Sequence, residues 1–309
     1  MTPQPFGDTL ATRVAERESQ VVLGLDPDPG RLWPVAAPIA AQRRAPLRPA
    51  AAAVLGHCLA LIDATADACV AVKLQLARFE VLGADGWVVM REIVGHARGS
   101  HLLVIADGKR GDIDVSAGAY ASALIGGLET PNGRLEGLGA DLVTVNPLMG
   151  RDAIQPFIDS ARAAGAGVLA LVRTSNAGAA DIEDLRLEGG GRVWERIAAM
   201  VNELGRSGIG EQGLSDVGAV VGATEPGYLP RARELMAHAT FLLPGIGAQG
   251  GRVEDLAAAF APGRAGGLVT ASRSIAEAHR AGGAEPPAAA RAEAERLRDA
   301  AWKLSGSFR

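Results

Sequence analysis

The chain has 309 residues, of which 48% are hydrophobic, 21% charged and 4% aromatic, and its formal net charge is −4. A chain of this length buries a substantial core, either as two average domains or as one large α/β unit. The slightly acidic balance offers no basic surface for nucleic acid or for an anionic membrane, so the expected partner is a small molecule.

Eight short apolar segments rich in β-branched residues alternate with helical segments. The predicted strands are 21–26, 69–74, 102–107, 141–146, 167–172, 217–222, 241–246 and 267–272. The predicted helices between them are 50–66, 83–98, 115–125, 151–164, 191–205, 228–238 and 252–260. This alternation implies a parallel sheet with right-handed crossovers, and eight units fit a (β/α)8 TIM barrel better than two open sheets. An open doubly wound sheet is the remaining alternative.

We expect one domain over residues 1–309, because no segment between the units has the composition of a domain linker. A helix is expected before the first strand, and an amphipathic helix at about 288–304 ends the chain. Stretches near 34–49, 126–140 and 177–191 are predicted to be long loops, which in barrels often shape the mouth.

The amino-terminal sequence and the cysteines indicate a cytoplasmic protein. No run of 18 apolar residues occurs, and the first residues lack the layout of a secretory signal. Cys58 and Cys69 form no CxxC motif, which favours reduced, buried thiols over a disulfide. The five histidines form no HxH or HExxH pattern, so a histidine-based metal site is not expected.

Polar residues stand at the ends of most of the predicted strands, where a barrel builds its active site. These ends are Asp26, Lys73, Asp107 to Asp112, Asn146, Thr174 to Asn176, the glycine-rich turn 245–251, and Ser272 with Arg273. Lysine is rare in this chain, with three lysines against 28 arginines, and two of the three stand at these ends. Because lysine can give up its proton and arginine cannot, this placement suggests a chemical role.

The charged residues around the third strand are predicted to meet inside the barrel. Asp107 and Lys109 are two residues apart and therefore share the inward face of their strand with Ile105. Lys73 on the neighbouring strand can join them, and Asp112 can either turn back or reach a second subunit. Opposite charges within about 4–6 Å keep each other ionised. A purely structural salt-bridge network is the alternative.

The turn GIGAQG at 245–250 formally matches the G-x-G-x-x-G pattern of dinucleotide sites. That fingerprint normally opens the first βαβ unit and has an acidic residue about 20 positions later, whereas this turn comes late and is followed by Ser272 and Arg273. Glycine-rich turns after strands 7 and 8 of a barrel commonly hold a phosphate, here with Gln249 and Arg273 as donors. A tight turn beside a surface salt bridge is the alternative without a ligand.

Together these motifs resemble the orotidine 5'-phosphate decarboxylase family. DGKRGDI at 107–113 fits the D-x-K-x-x-D-I signature of that family. The similarity covers about residues 20–275 and includes Asp26, Lys73, the turn 244–251 and Ser272 to Ser274. The loops NPLMG and RTSN, after the fourth and fifth strands, resemble the longer bacterial subgroup of the family.

The resemblance implies a homodimeric (β/α)8 enzyme, without metal or organic cofactor, that converts orotidine 5'-phosphate to UMP and CO2. It implies a charged tetrad of Lys73, Asp107, Lys109 and Asp112, in which Lys109 protonates C6 of the pyrimidine and Asp112 serves the site of the other subunit. Asp26 and Lys73 are implied to contact ribose hydroxyls. The other implied substrate contacts are Ser116, which stands where many members have threonine, Asn146, Ser175 at the pyrimidine edge, and Pro244, Gln249, Gly250 and Arg273 around the phosphate.

Three other functions stay open at this point. A related barrel acts on a sugar phosphate with Mg²⁺, as a keto-sugar acid phosphate decarboxylase or an aldolase-like synthase, and its activity would be sensitive to EDTA. An inactive phosphate-binding module would have no turnover, although the intact charged residues argue against it. An NAD(P)-dependent oxidoreductase would bind nicotinamide.

Overall fold

A computed structural model describes residues 4–34 and 47–307 of the protein, and eight of its strands close into a barrel. These strands are β1 (Val21–Leu25), β2 (Ala71–Gln75), β3 (Leu103–Arg110), β6 (Leu142–Val145), β7 (Gly167–Arg173), β8 (Val217–Val221), β9 (Phe241–Leu243) and β10 (Gly267–Ala271). Around the barrel they follow the order β1-β10-β9-β8-β7-β6-β3-β2, and every neighbouring pair is parallel. The predicted TIM barrel is therefore confirmed, and the open doubly wound sheet was the wrong alternative.

Helices separate most of the strands. They are α1 (Phe6–Arg17), α2 (Pro49–Thr65), α3 (Leu76–Glu80), α4 (Ala84–Gly99), α5 (Asp114–Leu124), α6 (Arg151–Ala164), α7 (Ala179–Ile182), α8 (Val193–Gly205), α9 (Leu229–Leu235), α10 (Arg273–Ala276), α11 (His279–Gly282) and α12 (Pro286–Ser305). The prediction of a helix over 252–260 was wrong, because two 3-10 turns, Val253–Asp255 and Ala257–Phe260, stand there. Its backbone N–H groups bond to carbonyls three residues back, as from Leu256 to Val253 at 3.0 Å and from Ala259 to Leu256 at 2.9 Å, which is 3-10 geometry.

Two apolar clusters hold the barrel together. Inward-facing residues of the strands fill its interior, and α1 contributes to the same cluster: Phe6, Leu10, Val14, Val22, Ile105, Leu142, Leu169, Leu242 and Leu268. The outward faces of the strands pack against the surrounding helices in the larger cluster. Phe6 approaches Gly167, the first residue of β7, so α1 lies at the amino-terminal end of the barrel. The opposite end, where the strands finish, is left for the site.

Two of the three stretches predicted as long loops contain regular structure. Within 126–140, β4 (Leu128–Thr130) pairs with β5 (Gly133–Leu135) in an antiparallel hairpin, whose two turn residues, Pro131 and Asn132, are of types that favour turns. Within 177–191 lies the short helix α7. The third stretch, 34–49, falls mostly outside the described residues.

Helix α2, with the 3-10 turn that continues it to Ala68, is long and apolar enough in composition to cross a membrane. In this structure 67% of its apolar 18-residue stretch is buried inside the protein. Leu55, Leu59 and Ile62 of α2 belong to the outer core cluster. The segment therefore has the burial of a core helix that covers the barrel.

Candidate active site

The carboxyl ends of the barrel strands surround a cavity of about 420 Å³. Eight of the predicted site residues line it: Asp26, Lys73, Asp107, Lys109, Ser175, Pro244, Gln249 and Arg273. Residues from both ends of the sequence meet here because every barrel strand runs in the same direction and finishes at the same edge.

Asp107 is the centre of a charged array in this cavity. Its Oδ2 accepts a hydrogen bond from Lys73 Nζ at 2.8 Å, and its Oδ1 accepts one from Lys109 Nζ at 2.7 Å. Lys73 Nζ also lies 3.7 Å from Asp26 Oδ1 and donates to Gln75 Oε1 at 3.3 Å. Lys73 and Asp107 are both 5% exposed, so solvent screens their attraction poorly.

The opposite charges keep the two buried groups ionised. Burial alone raises the pKa of Asp107, but the ammonium groups of Lys73 and Lys109 outweigh burial and lower that pKa to about 2. Burial alone lowers the pKa of Lys73, but the carboxylates of Asp107 and Asp26 outweigh burial and raise that pKa above its ordinary value. Lys109 differs in being 42% exposed at its side chain, so a ligand in the cavity can reach its ammonium group.

The strand that carries Asp107 and Lys109 is interrupted by a bulge. The pairing of β3 with β6 shifts register between Ala106 and Arg110. Lys109 has a φ of 47°, in the left-handed region that residues other than glycine seldom adopt. The predicted alternation of inward and outward side chains along this strand therefore stops at Asp107, although Lys109 still lines the cavity.

Thr144 belongs to the site and was missed by the sequence analysis. It lies on β6, is 1% exposed, and donates a hydrogen bond to Asp107 Oδ1 at 2.8 Å. Its Oγ1 also accepts the backbone N–H of Lys109 at 2.9 Å. The available signal was a polar residue on the inward face of an otherwise apolar strand, in register with Leu142.

The glycine-rich turn after β9 has a backbone that only glycine adopts easily. Gly245, Gly247 and Gly250 have φ values of 104°, 72° and 93°. The turn is closed by backbone hydrogen bonds from Gly250 to Gly247 at 2.9 Å and from Gly251 to Gly245 at 3.0 Å. Beside it, Arg273 is exposed and forms no ion pair with any residue of 4–34 or 47–307. An unpaired guanidinium next to such a turn suits an anionic ligand.

Ser175 and Gln249 meet on another side of the cavity, where Ser175 Oγ donates to Gln249 Oε1 at 3.3 Å. The loop that carries Ser175 is anchored by the buried Arg173. The Arg173 guanidinium donates from Nη2 to Asp184 Oδ2 at 2.9 Å and lies 4.6 Å from the centre of the Tyr228 ring. The sequence analysis noted Arg173 only as part of a loop motif and missed this anchoring role.

Four predicted residues do not line the cavity. Asp112 is half-buried, and its Oδ1 accepts the backbone N–H of the next residue at 2.8 Å. Ser116 is exposed in the first turn of α5, and the exposed Asn146 accepts a backbone N–H two residues on at 3.1 Å. Gly250 belongs to the glycine turn. Within one chain, therefore, three of the four tetrad residues meet and Asp112 stands apart.

In the described parts of the chain, no group of three or more His, Cys, Asp or Glu side chains is arranged to hold a metal ion. Cys58 and Cys69 are free and buried, as predicted, and burial raises the pKa of Cys69 to about 12. A buried thiol with such a pKa is unreactive at neutral pH.

Comparison with known proteins agrees with the motifs. The profile of the family described as "Orotidine 5'-phosphate decarboxylase / HUMPS family" matches residues 19–291. Proteins named orotidine 5'-phosphate decarboxylase from Rhodopirellula baltica and Deinococcus radiodurans are 38% and 40% identical to this chain over 276 residues. The alignments cover 89% of this chain in both cases, and 89% and 90% of the two relatives.

Comparison with solved structures agrees with the sequence comparison. The solved structure of Leishmania donovani OMP decarboxylase is 31% identical in sequence and superposes with a TM-score of 0.72, covering 97% of this chain and 99% of the other. The matched profile spans nearly the whole barrel, and two relatives above 30% identity are covered over most of their length. By its sequence, its barrel and the residues gathered at the barrel's mouth, this chain belongs to the orotidine 5'-phosphate decarboxylase / HUMPS family.

Proposed function

We propose that this protein decarboxylates orotidine 5'-phosphate to UMP and CO2 without a metal or an organic cofactor. The observation that carries the proposal is one cavity with a lysine–aspartate–lysine array in one part and a glycine turn with the exposed Arg273 in another. The turn and Arg273 suit a phosphate, and the array suits a carbon that becomes negatively charged. The names of the relatives support the same substrate.

The substrate is proposed to bind across the cavity. Gln249 and Arg273 hold the phosphate, with Pro244 and Gly250 shaping the turn around it. Asp26 and Lys73 contact the ribose hydroxyls, and Ser175 contacts the pyrimidine edge. Apolar side chains that also line the cavity suit the flat face of the ring: Leu171, Val220, Leu242 and Ile246.

The proposed chemistry uses Lys109 as the proton donor. When the C6–carboxylate bond breaks, CO2 leaves and its bonding electron pair stays on C6 as a carbanion. The Lys109 ammonium stabilises this charge, which develops only towards the transition state, and then transfers its proton to C6. Asp107, which holds Lys109 at 2.7 Å, also repels the substrate carboxylate before it departs.

We propose further that the active form is a homodimer in which Asp112 completes the site of the neighbouring subunit. Asp112 does not line the cavity of its own chain. Exposed apolar side chains lie close to it in sequence, namely Ile113 at 53% and Val115 at 79% exposure. Met149 is 47% exposed and approaches Gly111, so the apolar surface continues onto the next loop. Contiguous exposed apolar surface is typical of an association site. In the same dimer, Ser116 and Asn146 are proposed to contact substrate only after the subunits meet.

The first test measures the absorbance change of the purified protein with orotidine 5'-phosphate in the presence of EDTA. We expect metal-independent formation of UMP, and a loss of at least about 10³-fold in kcat for K109A because both charge stabilisation and proton transfer disappear. K303A is the matched control, since Lys303 is the one remaining lysine of the sequence and lies exposed on α12.

Two results would contradict the proposal. The first is no conversion by a folded wild-type protein. The second is activity that EDTA removes and Mg²⁺ restores, which would instead favour a Mg²⁺-dependent enzyme acting on a sugar phosphate. Full activity of K109A would refute only the assignment of Lys109 as the proton donor, and the proposed reaction would stand.

A further inference from the structure

We infer that Thr144 is a positioning residue of the reaction: its hydroxyl sets the position of Lys109 relative to Asp107. This inference rests on the proposed function for its catalytic consequence. Its structural basis is the pair of hydrogen bonds that the Thr144 hydroxyl makes, to Asp107 Oδ1 at 2.8 Å and from the Lys109 amide at 2.9 Å.

The two contacts together define the direction of the hydroxyl proton. A backbone N–H can only donate, so Thr144 Oγ1 must accept from Lys109. The single O–H proton of Thr144 is then left to donate to Asp107 Oδ1. Asp107 Oδ1 also accepts a hydrogen bond from the Lys109 ammonium group. One carboxylate oxygen therefore binds both the side chain of Lys109 and Thr144, whose hydroxyl binds the Lys109 amide.

Lys109 needs this support because of the bulge in β3. Its φ of 47° is unfavourable for lysine, and the register shift interrupts the regular hydrogen bonding to β6. Regular contact resumes where Asn146 donates its amide to the Arg110 carbonyl at 2.7 Å. Thr144 therefore satisfies the Lys109 amide at the point where the sheet itself does not.

Thr144 does not touch the ligand space. It is 1% exposed and does not line the cavity, whereas Asp107 and Lys109 do. Loss of its hydroxyl should therefore misplace the proton donor and leave the contacts to phosphate and ribose intact. This separates its expected effect, on kcat, from that of a binding residue, on KM.

The test compares T144V, which keeps the shape and removes the hydroxyl, with T144S, which keeps the hydroxyl. We expect kcat of T144V to fall about 10- to 100-fold, because a small misplacement of a catalytic group lowers the rate by about this factor. KM should stay within about threefold of wild type. T144S should keep kcat within about threefold. T240V is the matched control, because Thr240 is equally buried and its hydroxyl donates to Ala265 O at 3.1 Å, away from the cavity.

A second readout does not depend on turnover. Amide hydrogen exchange at Lys109, followed by NMR, should become at least about tenfold faster in T144V than in wild type, because its hydrogen-bond acceptor is gone. T240V should leave it unchanged. Should T144V fail to fold, T144A gives the same comparison with less steric disturbance.

The outcomes separate the two proposals. A wild-type protein without activity on orotidine 5'-phosphate refutes the proposed function, while the exchange rate still decides whether Thr144 holds Lys109. An active wild type with T144V at wild-type kcat, or unchanged exchange at Lys109, overturns the inference. A loss in T144V that T144S shares equally also overturns it, since the hydroxyl would then not be the cause.

Discussion

At the scale of single residues, the two lysines beside Asp107 have different environments and therefore different capacities. Lys73 is buried and pairs with carboxylates on two strands, β3 and the end of β1, so it is held in place as a fixed charge. Lys109 pairs with the same carboxylate and has a side chain 42% exposed to the cavity. Both lysines line the cavity, but only the Lys109 ammonium is widely exposed there, which is why we propose Lys109 and not Lys73 as the proton donor.

Arg273 is the residue on which phosphate capture should depend. R273A is expected to raise KM for orotidine 5'-phosphate about 10- to 100-fold, with kcat within a few-fold of wild type, because the lost contact is the same in the ground and transition states. Steady-state kinetics measure this division. R280A is a suitable control, since Arg280 is exposed and does not line the cavity. A loss in kcat with unchanged KM would place Arg273 in the chemistry instead.

At the scale of elements, the site depends on how closely β1 and β10 approach. A Cβ built on Gly24 of β1 would lie 1.8 Å from Ser272 Oγ and 2.8 Å from Ser272 Cβ. Ser272 directly follows β10 and precedes Arg273, so the contact of Gly24 with Ser272 also positions the arginine. Glycine at position 24 is needed for space and not for its backbone angles, since its φ is not positive.

G24A is therefore expected to weaken both stability and substrate capture. Forcing a methyl group into this contact should cost about 1–3 kcal/mol in the free energy of unfolding, and the shift of Ser272 should raise KM. Urea unfolding and steady-state kinetics test the two effects. G95A is the matched control, because a Cβ at Gly95 on α4 meets nothing within 4 Å and should be neutral or stabilise by up to about 1 kcal/mol. Equal behaviour of the two variants would contradict the packing argument.

At the scale of the whole molecule, the question is whether one subunit completes the site of another. In a dimer with shared sites, K109A and D112N each inactivate both sites, but their heterodimer regains one site with both native residues. Random reassortment makes half the molecules heterodimers, so a mixture of the two inactive variants should recover about a quarter of wild-type activity. The activity of the mixture, with the exchange of subunits followed by native mass spectrometry, measures this.

If the mixture exchanges subunits and stays inactive, Asp112 does not act in the site of the neighbouring subunit. Wild-type activity of D112N would show that Asp112 has no role in the reaction. The dimer and the cytoplasmic location are predictions from the sequence, and native mass spectrometry of the purified protein tests the first of them.

Much of the barrel was predictable because its signals are local. Each strand is a short apolar run, and five crossover helices have close to the predicted lengths, whereas the helix predicted over 228–238 is shorter, Leu229–Leu235. The segment 252–260 was predicted wrongly because α and 3-10 helices bury similar apolar patterns, so the pattern alone does not separate the two geometries. The hairpin β4–β5 was predicted as a loop, although the sequence Pro-Asn-Gly at 131–133 was a readable turn signal.

The sequence by itself determined which chemical groups stand at the ends of the strands, because residue identity and the spacing of apolar runs decide that without reference to distant parts of the chain. Only the tertiary structure decided how those groups contact one another. Thr144 meets Asp107 across 37 residues, and Ser175 meets Gln249 across 74. Such contacts depend on closure of the barrel and on the bulge at Lys109, and both of these arise from the packing of the whole sheet.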